Sequence, residues 1–391
     1  MSSAFFIRAC ATAALAAWLA GCASAPPMPP ATNLFHDDLF AAPSEPVDPG
    51  AALAVSAEMQ RYVHDRLASL SRFDDRKRQL FDALYKQGEL QLEYDAAITR
   101  TAAQAFDARS GNCLALVMMT AAFAKEMGLA VRYQIVVGDD AWDRAGDLYV
   151  SVGHVNLTLF DKVAPFGGSG FIETDAMTVD FVPPRDGRKQ RVRVVPERTI
   201  VAMYLNNRAV EALAAGQRSD AYWWAREAVR TDPDLLSAYI TLGVVYRNTG
   251  HADFADAALR RVNEREPDNT KALSNRILVL RDLGRQDEAS ALARRLEQLD
   301  PHPPYSYFLQ GMAALRERRV DEARRLFEKE VERAPYQHEF QFWLAVTHLQ
   351  LNQPAQAAEH LERAIRSATT RRDHDLYAAK LDRLKALTST H

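Results

Sequence analysis

Cys113 is the residue of this chain whose setting most favours nucleophilic chemistry. It follows Ser110 and Asn112, two residue types that favour the N-cap of a helix, and it opens an apolar helical pattern that ends near Gly128. The sequence therefore places Cys113 in the first turn of a helix. Free amide groups and the helix dipole at such a position stabilise a thiolate, and the same amides can stabilise the oxyanion formed from an acyl substrate.

A thiol nucleophile needs a base, and the segments that follow this helix offer one together with an orienting acid. Alternating apolar and polar residues predict three strands, at residues 131–137, 152–160 and 177–182. His154 falls on the polar face of the second strand, and Asp180 falls on the polar face of the third. Neighbouring strands would bring these two side chains within hydrogen-bond reach, as a base and its orienting acid require.

The order of these residues resembles the transglutaminase-like branch of the papain-like folds. Three blocks within residues 55–195 carry the resemblance: Arg109-Ser110-Gly111-Asn112-Cys113-Leu114-Ala115-Leu116, Gly153-His154-Val155-Asn156 and Thr178-Val179-Asp180-Phe181. The resemblance implies an α+β domain in which N-terminal helices are followed by an antiparallel sheet. It also implies that Cys113 attacks an amide or ester carbonyl, that His154 transfers the proton, and that Asp180 holds the imidazole.

Two parts of the expected site have alternatives. Asp175 is a second candidate for the residue that orients His154, although strand parity favours Asp180. The donor that stabilises the oxyanion is Tyr94, Asn112 or a set of backbone amides alone.

The N-terminus predicts export to the cell envelope. An apolar run over residues 9–20 follows the single charge of Arg8 and is too short to span a bilayer. The run ends in Leu19-Ala20-Gly21-Cys22, which resembles the bacterial lipobox. This resemblance implies a signal peptide over residues 1–21 and a lipid on Cys22. Because the next residue is not aspartate, it also implies the outer membrane, facing the periplasm.

The stretch from residue 22 to residue 50 contains seven prolines. Such a composition does not build a packed core, and it predicts an extended tether between the membrane and the body of the protein. Two apolar pairs, Leu34-Phe35 and Leu39-Phe40, are its candidate contacts with that body.

Cysteine usage and composition exclude several classes of protein. Cys10 leaves with the signal peptide and Cys22 carries the lipid, so Cys113 has no disulfide partner. Neither HExxH nor CxxC spacing occurs, so no metal or other cofactor is expected. A net charge of −3 gives no indication of a nucleic-acid partner.

A 34-residue period runs through the C-terminal half. Alanines and prolines recur at this interval, at Ala221, Ala255, Ala289, Ala323 and Ala357, and at Pro233, Pro267, Pro301 and Pro335. The pattern is that of tetratricopeptide (TPR) repeats, helix pairs that stack because no single pair buries its own apolar face. The sequence predicts five repeats and a capping helix over residues 199–391, after a transglutaminase-like domain over residues 51–198. Arginines on the first helices of successive repeats would either bind a carboxylate or remain solvated: Arg208, Arg247 and Arg276.

Together these features favour a cell-envelope enzyme with a recruiting module. In the leading hypothesis Cys113, His154 and Asp180 hydrolyse or transfer acyl groups at peptide or isopeptide bonds, as in a cysteine peptidase, an amidase or a transglutaminase-like acyltransferase. The TPR array would recruit the substrate or a partner protein. The alternative is a non-catalytic TPR scaffold for envelope assembly, with a degenerate thiol domain. A third possibility is crosslinking, in which an amine accepts the acyl group.

Overall fold

The computed structural model describes residues 31–67, 76–85, 90, 92–95, 98–137, 141–145, 148–152, 154–161, 176–181, 191–303, 305–335, 337–368 and 371–388. The predicted signal peptide over residues 1–21, the lipidation residue Cys22 and the alternative acid Asp175 lie outside these ranges. Within them, no helix combines the length and the apolar character needed to cross a membrane.

Four α-helices in the described part of the chain precede the main sheet. Helix α1 spans Ala57–Tyr62 and continues as a π turn over Val63–Leu67, and α2, α3 and α4 span Arg76–Tyr85, Ala102–Ala108 and Cys113–Glu126. Ser56, Thr101 and Asn112 cap α1, α3 and α4, because each side chain accepts a hydrogen bond from a backbone amide of the first turn. These polar residues therefore determine where the three helices begin.

Helix α4 is the centre of the N-terminal core. Every residue from Cys113 to Ala124 is buried, which is expected of a helix that is apolar on all sides. The helix ends at Gly128, whose φ of 77° is the left-handed conformation of a helix C-terminus. The amide of Leu129 then donates to the carbonyl of Ala124 at 2.8 Å and closes the last turn.

The described residues form the strands β1 (Glu93–Tyr94), β2 (Ser110–Gly111), β3 (Ala130–Val137), β4 (Ala141–Ala145), β5 (Leu148–Val152), β6 (Val155–Phe160), β7 (Met177–Val179) and β8 (Arg191–Val195). Four of them form the main antiparallel sheet, in the order β7-β6-β3-β8. Strands β1 and β2 form a separate parallel pair, and β4 and β5 form a separate antiparallel pair. Strand β6 is buried along its whole length.

The strands differ in extent from the sequence prediction at the two positions that matter for chemistry. The strand expected over residues 152–160 is divided, so that His154 immediately precedes β6. The strand expected over residues 177–182 ends at Val179, so that Asp180 immediately follows β7. Strands β6 and β7 are antiparallel, with Leu157 opposite Val179. The start of β6 and the end of β7 therefore lie side by side, at the same end of the two strands.

Ten further helices pack as five successive pairs over the C-terminal half. They are α5 (Glu197–Ala214), α6 (Arg218–Thr231), α7 (Leu236–Asn248), α8 (Ala252–Arg265), α9 (Thr270–Asp282), α10 (Gln286–Leu299), α11 (Ser306–Arg316), α12 (Val320–Arg333), α13 (His338–Gln350) and α14 (Pro354–Ser367). Helix α15 (Arg371–Thr388) packs on α14. The predicted boundaries at residues 50 and 198 remain predictions.

The turn inside each pair uses the left-handed backbone conformation at the same repeat position. Gly216, Gly250 and Gly284 have φ values of 77°, 85° and 73°, and Arg318 and Asn352 have φ values of 59° and 56°. Glycine adopts this conformation without steric cost, whereas an arginine does not. The fourth repeat therefore carries backbone strain at Arg318 that the first three repeats avoid.

The N-terminal segment, residues 31–53, differs from the extended tether that its prolines predict. It forms three 3-10 helices, over Thr32–Leu34, Asp37–Leu39 and Pro49–Leu53. Leu34 is buried, and the Tyr246 hydroxyl donates to its carbonyl at 2.6 Å. The ring of Phe40 stacks on Tyr222 with a centroid distance of 3.9 Å. Apolar and aromatic contacts with α6, α7 and α8 thus order a segment whose composition alone disfavours packing.

Polar contacts continue along the same segment. They join Asp37 to Tyr222 and Arg226, Ala41 to Trp223, Ser44 to Asp220, and Glu45 to Arg208, at 2.6 to 2.9 Å. The last 3-10 helix lies between α4 and α5, where Ala52 is fully buried. The N-terminal segment is therefore bound to the first two helix pairs and to the thiol-bearing helix.

Candidate active site

Cys113 is the first residue of α4, as the sequence predicts. The side-chain oxygen of Asn112 accepts a hydrogen bond from the Ala115 amide at 2.9 Å and so caps the helix next to the thiol. Cys113 itself is 3% exposed. The thiol is thus buried at the N-terminal end of a buried helix.

His154 lies between Cys113 and Asp180. Its Nε2 atom is 2.9 Å from one carboxylate oxygen of Asp180 and 3.0 Å from the other. The Cys113 thiol lies near enough to the imidazole to raise the pKa of His154. The three predicted residues therefore meet in one cluster, although they come from a helix and from the ends of two strands.

The charge state of His154 follows from these partners. Burial lowers its pKa, but the hydrogen bonds and negative charges of Asp180 and Cys113 outweigh burial and raise the pKa to about 10. The imidazolium form is consequently favoured at neutral pH. An imidazolium beside a thiol can hold a thiolate and can later supply a proton to a leaving group.

Asn156 belongs to the second block of the transglutaminase-like resemblance, and it is a component of the site for which no role was predicted. Its amide nitrogen donates to the Asp180 carboxylate at 3.1 Å, and the residue is 3% exposed. The next pair along the two strands, Thr158 and Thr178, is joined by a hydroxyl hydrogen bond of 3.1 Å. The alternation of polar residues in β6 was the signal for this row. Asn156 fixes the carboxylate that orients His154.

Tyr85 is a second neighbour of the site, and no sequence signal identified it. Its hydroxyl donates to the Asp180 carbonyl at 2.9 Å, and its ring stacks on Phe181 with a centroid distance of 5.7 Å. Burial and the charge of Asp180 raise the pKa of Tyr85 to about 12, so it remains a neutral donor. The contact holds the end of β7 against α2.

The candidate donors for the oxyanion differ in the contacts that they already make. Asn112 uses its oxygen to cap α4 and its amide nitrogen to bind Thr99 at 2.8 Å, which favours a structural role over an oxyanion role. Tyr94 lies in β1 opposite Gly111, close in the chain fold to the start of α4. The first-turn amides of α4 remain candidates as well.

The three arginines expected on the first helices have carboxylate partners within the chain. Arg208 pairs with Glu45 and Glu211, Arg247 pairs with Asp282, and Arg276 pairs with Asp256. None of the three is therefore a vacant carboxylate receptor. Among the residues that the structure describes, no group of three or more His, Cys, Asp or Glu side chains is placed to hold a metal ion.

Comparison with known proteins identifies the repeats. The tetratricopeptide-repeat family model matches residues 240–304 and 308–371. The chain therefore carries TPR repeats in its C-terminal half. The matched residues do not include Cys113, His154 or Asp180, and no curated protein matches the chain.

Several solved structures are similar to part of the chain. MamA from Desulfovibrio magneticus RS-1, from residue 41 to its end, is 17% identical, with 44% of this chain and 96% of that chain covered and a TM-score of 0.26. A thermophilic TPR protein of Thermus thermophilus is 17% identical, with 46% and 98% covered and a TM-score of 0.30. YrrB, described as a TPR protein with an unusual peptide-binding site, is 22% identical, with 46% and 92% covered and a TM-score of 0.25.

Proposed function

We propose that this protein is a cell-envelope lipoprotein whose Cys113, His154 and Asp180 hydrolyse or transfer acyl groups at peptide or isopeptide bonds. The observation that carries the proposal is the position of His154, whose imidazole binds the Asp180 carboxylate at 2.9 Å and lies beside the Cys113 thiol. A nucleophile, a base and a group that orients the base are the parts that covalent acyl transfer requires. Their order also fits the transglutaminase-like resemblance of the sequence.

The chemistry proceeds in two stages. The Cys113 thiolate attacks the carbonyl carbon, and the tetrahedral intermediate collapses when the His154 imidazolium gives its proton to the leaving amine. A thioester on Cys113 and a neutral imidazole remain. His154 then takes a proton from water or from a second amine as that group attacks the thioester, and the Cys113 thiolate is released beside the imidazolium. Water gives hydrolysis, whereas an amine gives transfer or crosslinking.

The test of the thiol site is the rate of Cys113 alkylation as a function of pH. A chain that begins at residue 23 contains Cys113 as its single cysteine, so every alkylation event reports this thiol. We expect rapid alkylation at pH 6, well below the pKa of about 8.5 of an unassisted thiol, and a loss of about 100-fold in His154→Ala. Equal rates in the two proteins at every pH would refute a catalytic pair.

Turnover provides the second test of the same proposal. Cys113→Ala should abolish hydrolysis or amine incorporation measured on envelope peptides, because no other cysteine occurs among the described residues. Cys113→Ser is the matched variant, since it replaces the thiol with a hydroxyl of similar size that is a weaker nucleophile. A Cys113→Ala protein that retains full turnover would exclude the thiol mechanism.

The TPR family match favours a second function, the recruitment of a protein or peptide. In a pure scaffold, the thiol would be dispensable. Full-length Cys113→Ala protein distinguishes the two hypotheses, because it retains every surface of the array. If it complements a deletion strain completely, the scaffold hypothesis is correct and the enzymatic one is not.

Attachment to the membrane through Cys22 is a further part of the proposal and is supported by the lipobox resemblance. Metabolic labelling with a fatty-acid analogue should mark the wild-type chain and leave Cys22→Ser unlabelled. Label on both chains, or on neither, would remove the lipid anchor from the proposal.

A further inference from the structure

Two side chains of the first TPR-like pair reach the segment that holds the N-cap of α4. Asn207 in α5 donates through Nδ2 to the Thr99 hydroxyl oxygen at 3.2 Å. The Asn112 amide nitrogen donates to the same oxygen at 2.8 Å. Glu211, one turn after Asn207, accepts a hydrogen bond from the Thr99 backbone amide at 2.7 Å. Thr99 thus joins the first repeat to the residue that precedes Cys113.

Both acceptor positions of the Thr99 hydroxyl are used, since it accepts from Asn112 and Asn207. The Thr99 backbone amide is bound as well, because it donates to the Glu211 carboxylate. The residue is 2% exposed, so water does not replace a missing partner. Two of these three contacts come from α5, so α5 helps to fix the position of Thr99.

Asn112 transmits this constraint to the thiol. Its amide nitrogen is fixed by Thr99, while its oxygen caps α4 at the Ala115 amide. A rotation of this side chain would release the first turn of the helix, because the cap satisfies an amide that has no other partner inside the helix. Cys113 is the residue directly after Asn112, so a change in the cap moves the thiol relative to His154.

We infer that Thr99, Asn207 and Glu211 are positioning residues for Cys113, so that the first repeat is a structural part of the thiol site. This inference rests on the proposed function for its catalytic meaning. The chain of contacts continues beyond the repeat, because Arg208 pairs with Glu211 and with Glu45 of the N-terminal segment, each at 2.9 Å. The N-terminal segment, the first repeat and the thiol-bearing helix form one polar network.

The experiment uses chains that span residues 23–391. Glu211→Ala removes the carboxylate that accepts from the Thr99 backbone amide. Thr99→Val removes the Thr99 hydroxyl but keeps the shape of the side chain. Glu211→Gln and Thr99→Ser are the conservative variants. The matched control is Glu330→Ala, which removes a buried carboxylate of α12 that likewise accepts backbone hydrogen bonds, from Tyr307 at 3.0 Å and Phe308 at 3.3 Å.

Two readouts are measured on each variant: the pH profile of Cys113 alkylation and the hydrogen exchange of the first turn of α4. We expect Glu211→Ala and Thr99→Val to slow alkylation at pH 6 by about tenfold and to move the half-maximal rate to higher pH, since a small misplacement of reacting groups has a large effect. Exchange in the first turn of α4 should accelerate. The conservative variants should stay within about twofold of wild type, and Glu330→Ala should match wild type in both readouts.

The outcomes separate this inference from the proposed function. If His154→Ala slows alkylation but the Thr99 and Glu211 variants keep wild-type profiles and exchange, positioning by the first repeat is refuted while the thiol site stands. If His154→Ala has no effect on alkylation, the proposed function fails, and exchange at α4 alone decides the inference. An equal change in Glu330→Ala would show a general loss of stability and would also refute the specific role.

Discussion

The first two helix pairs and the last three follow the same 34-residue pattern but have different surroundings. Helices α5 to α8, with Ala272 and Val279 of α9, share one continuous apolar core with the N-terminal segment, α4 and the main sheet. The rest of α9 and the helices after it form three smaller apolar clusters, which include Leu280, Phe327 and Leu361. The same repeat sequence pattern therefore serves as part of a compact body at one end and as a free-standing solenoid at the other.

The difference shows that a repeat signature specifies the helix pair without specifying its neighbours. The first two pairs meet the N-terminal segment through aromatic rings such as Tyr222 and Tyr246, and they meet Thr99 through Asn207 and Glu211. In the last three pairs, exposed leucines such as Leu309 and Leu349 are 43% and 42% accessible.

The largest expected difference between the two ends of the array is in how the stability of the thiol region depends on pH. The pKa of His154 is raised to about 10, while an unfolded histidine has a pKa near 6.5, so the stabilisation is complete below pH 6.5 and is lost as the pH rises towards 10. The Cys113 thiol is one of the groups that raise the pKa of His154, so this pKa is lower in Cys113→Ala. The upper limit of the pH window in that variant therefore lies below 10. We expect the free energy of unfolding to fall by about 3 kcal/mol across the window relative to Cys113→Ala/His154→Gln.

Denaturant titrations of the two Cys113→Ala proteins at pH 6, 8 and 9.5 measure this difference. All other titrating groups are common to both chains, so they cancel in the comparison. A difference in unfolding free energy that stays constant with pH would show that His154 carries no additional proton in the folded protein.

Leu34→Ala tests whether the N-terminal segment belongs to the body. Leu34 is 6% exposed and belongs to the large core, whereas Leu361 is 1% exposed and belongs to a small cluster at the far end. Each substitution should cost about 2 to 3 kcal/mol of local stability. Leu34→Ala should also increase hydrogen exchange in α6 to α8, while Leu361→Ala should increase it only in the last pairs. Exchange that spreads equally in both variants would contradict the division of the array.

The last pair should respond to pH in the opposite direction to the thiol region. Burial and the neighbouring His348, whose ring is stacked at 5.3 Å, lower the pKa of His360 to about 4. Stability from this group is present above pH 6.5 and is lost as the pH falls towards 4. His360 is partly exposed, so we expect a loss of about 1 to 2 kcal/mol, confined to α13 to α15. His360→Gln should lack this acid sensitivity in exchange measurements at pH 4.5 and 7.

The smallest expected effect concerns the strained turn of the fourth pair. Arg318→Gly relieves a left-handed arginine and should raise the stability of that pair by about 0.5 to 1 kcal/mol. Gly250→Ala, at the same position of the second pair, should lower stability by a similar amount and is the matched control. Thermal unfolding monitored on both variants measures the two signs. Equal signs would show that the turn conformation does not govern these positions.

Much of this architecture was predictable because its determinants are local. The alanines and prolines at 34-residue intervals predict the helix pairs, and Asn112 predicts where α4 begins. The polar alternation around His154 and Asp180 predicts their pairing, because adjacent strands place equivalent positions side by side.

The remainder depends on contacts between distant segments that leave no periodic trace. Tyr246 and Leu34 are 212 residues apart, and Thr99 and Glu211 are 112 residues apart. Prolines in residues 31–50 predict an extended chain, but prolines do not prevent binding to a surface that other residues supply. Tyr85 reaches Asp180 from α2, and nothing in its sequence context distinguishes it from an ordinary core tyrosine.

If Cys22 carries a lipid, the bound N-terminal segment would limit the distance between the membrane and the body of the protein. With residue 31 fixed to the first helix pairs, a lipid on Cys22 would leave nine peptide links between the membrane surface and the body. Nine links at full extension span about 30 Å, which is about one third of the span of a fully extended 30-residue linker. With so short a linker, Cys113 would reach only substrates that lie close to the membrane surface. Substrates farther from the membrane would have to be brought to it.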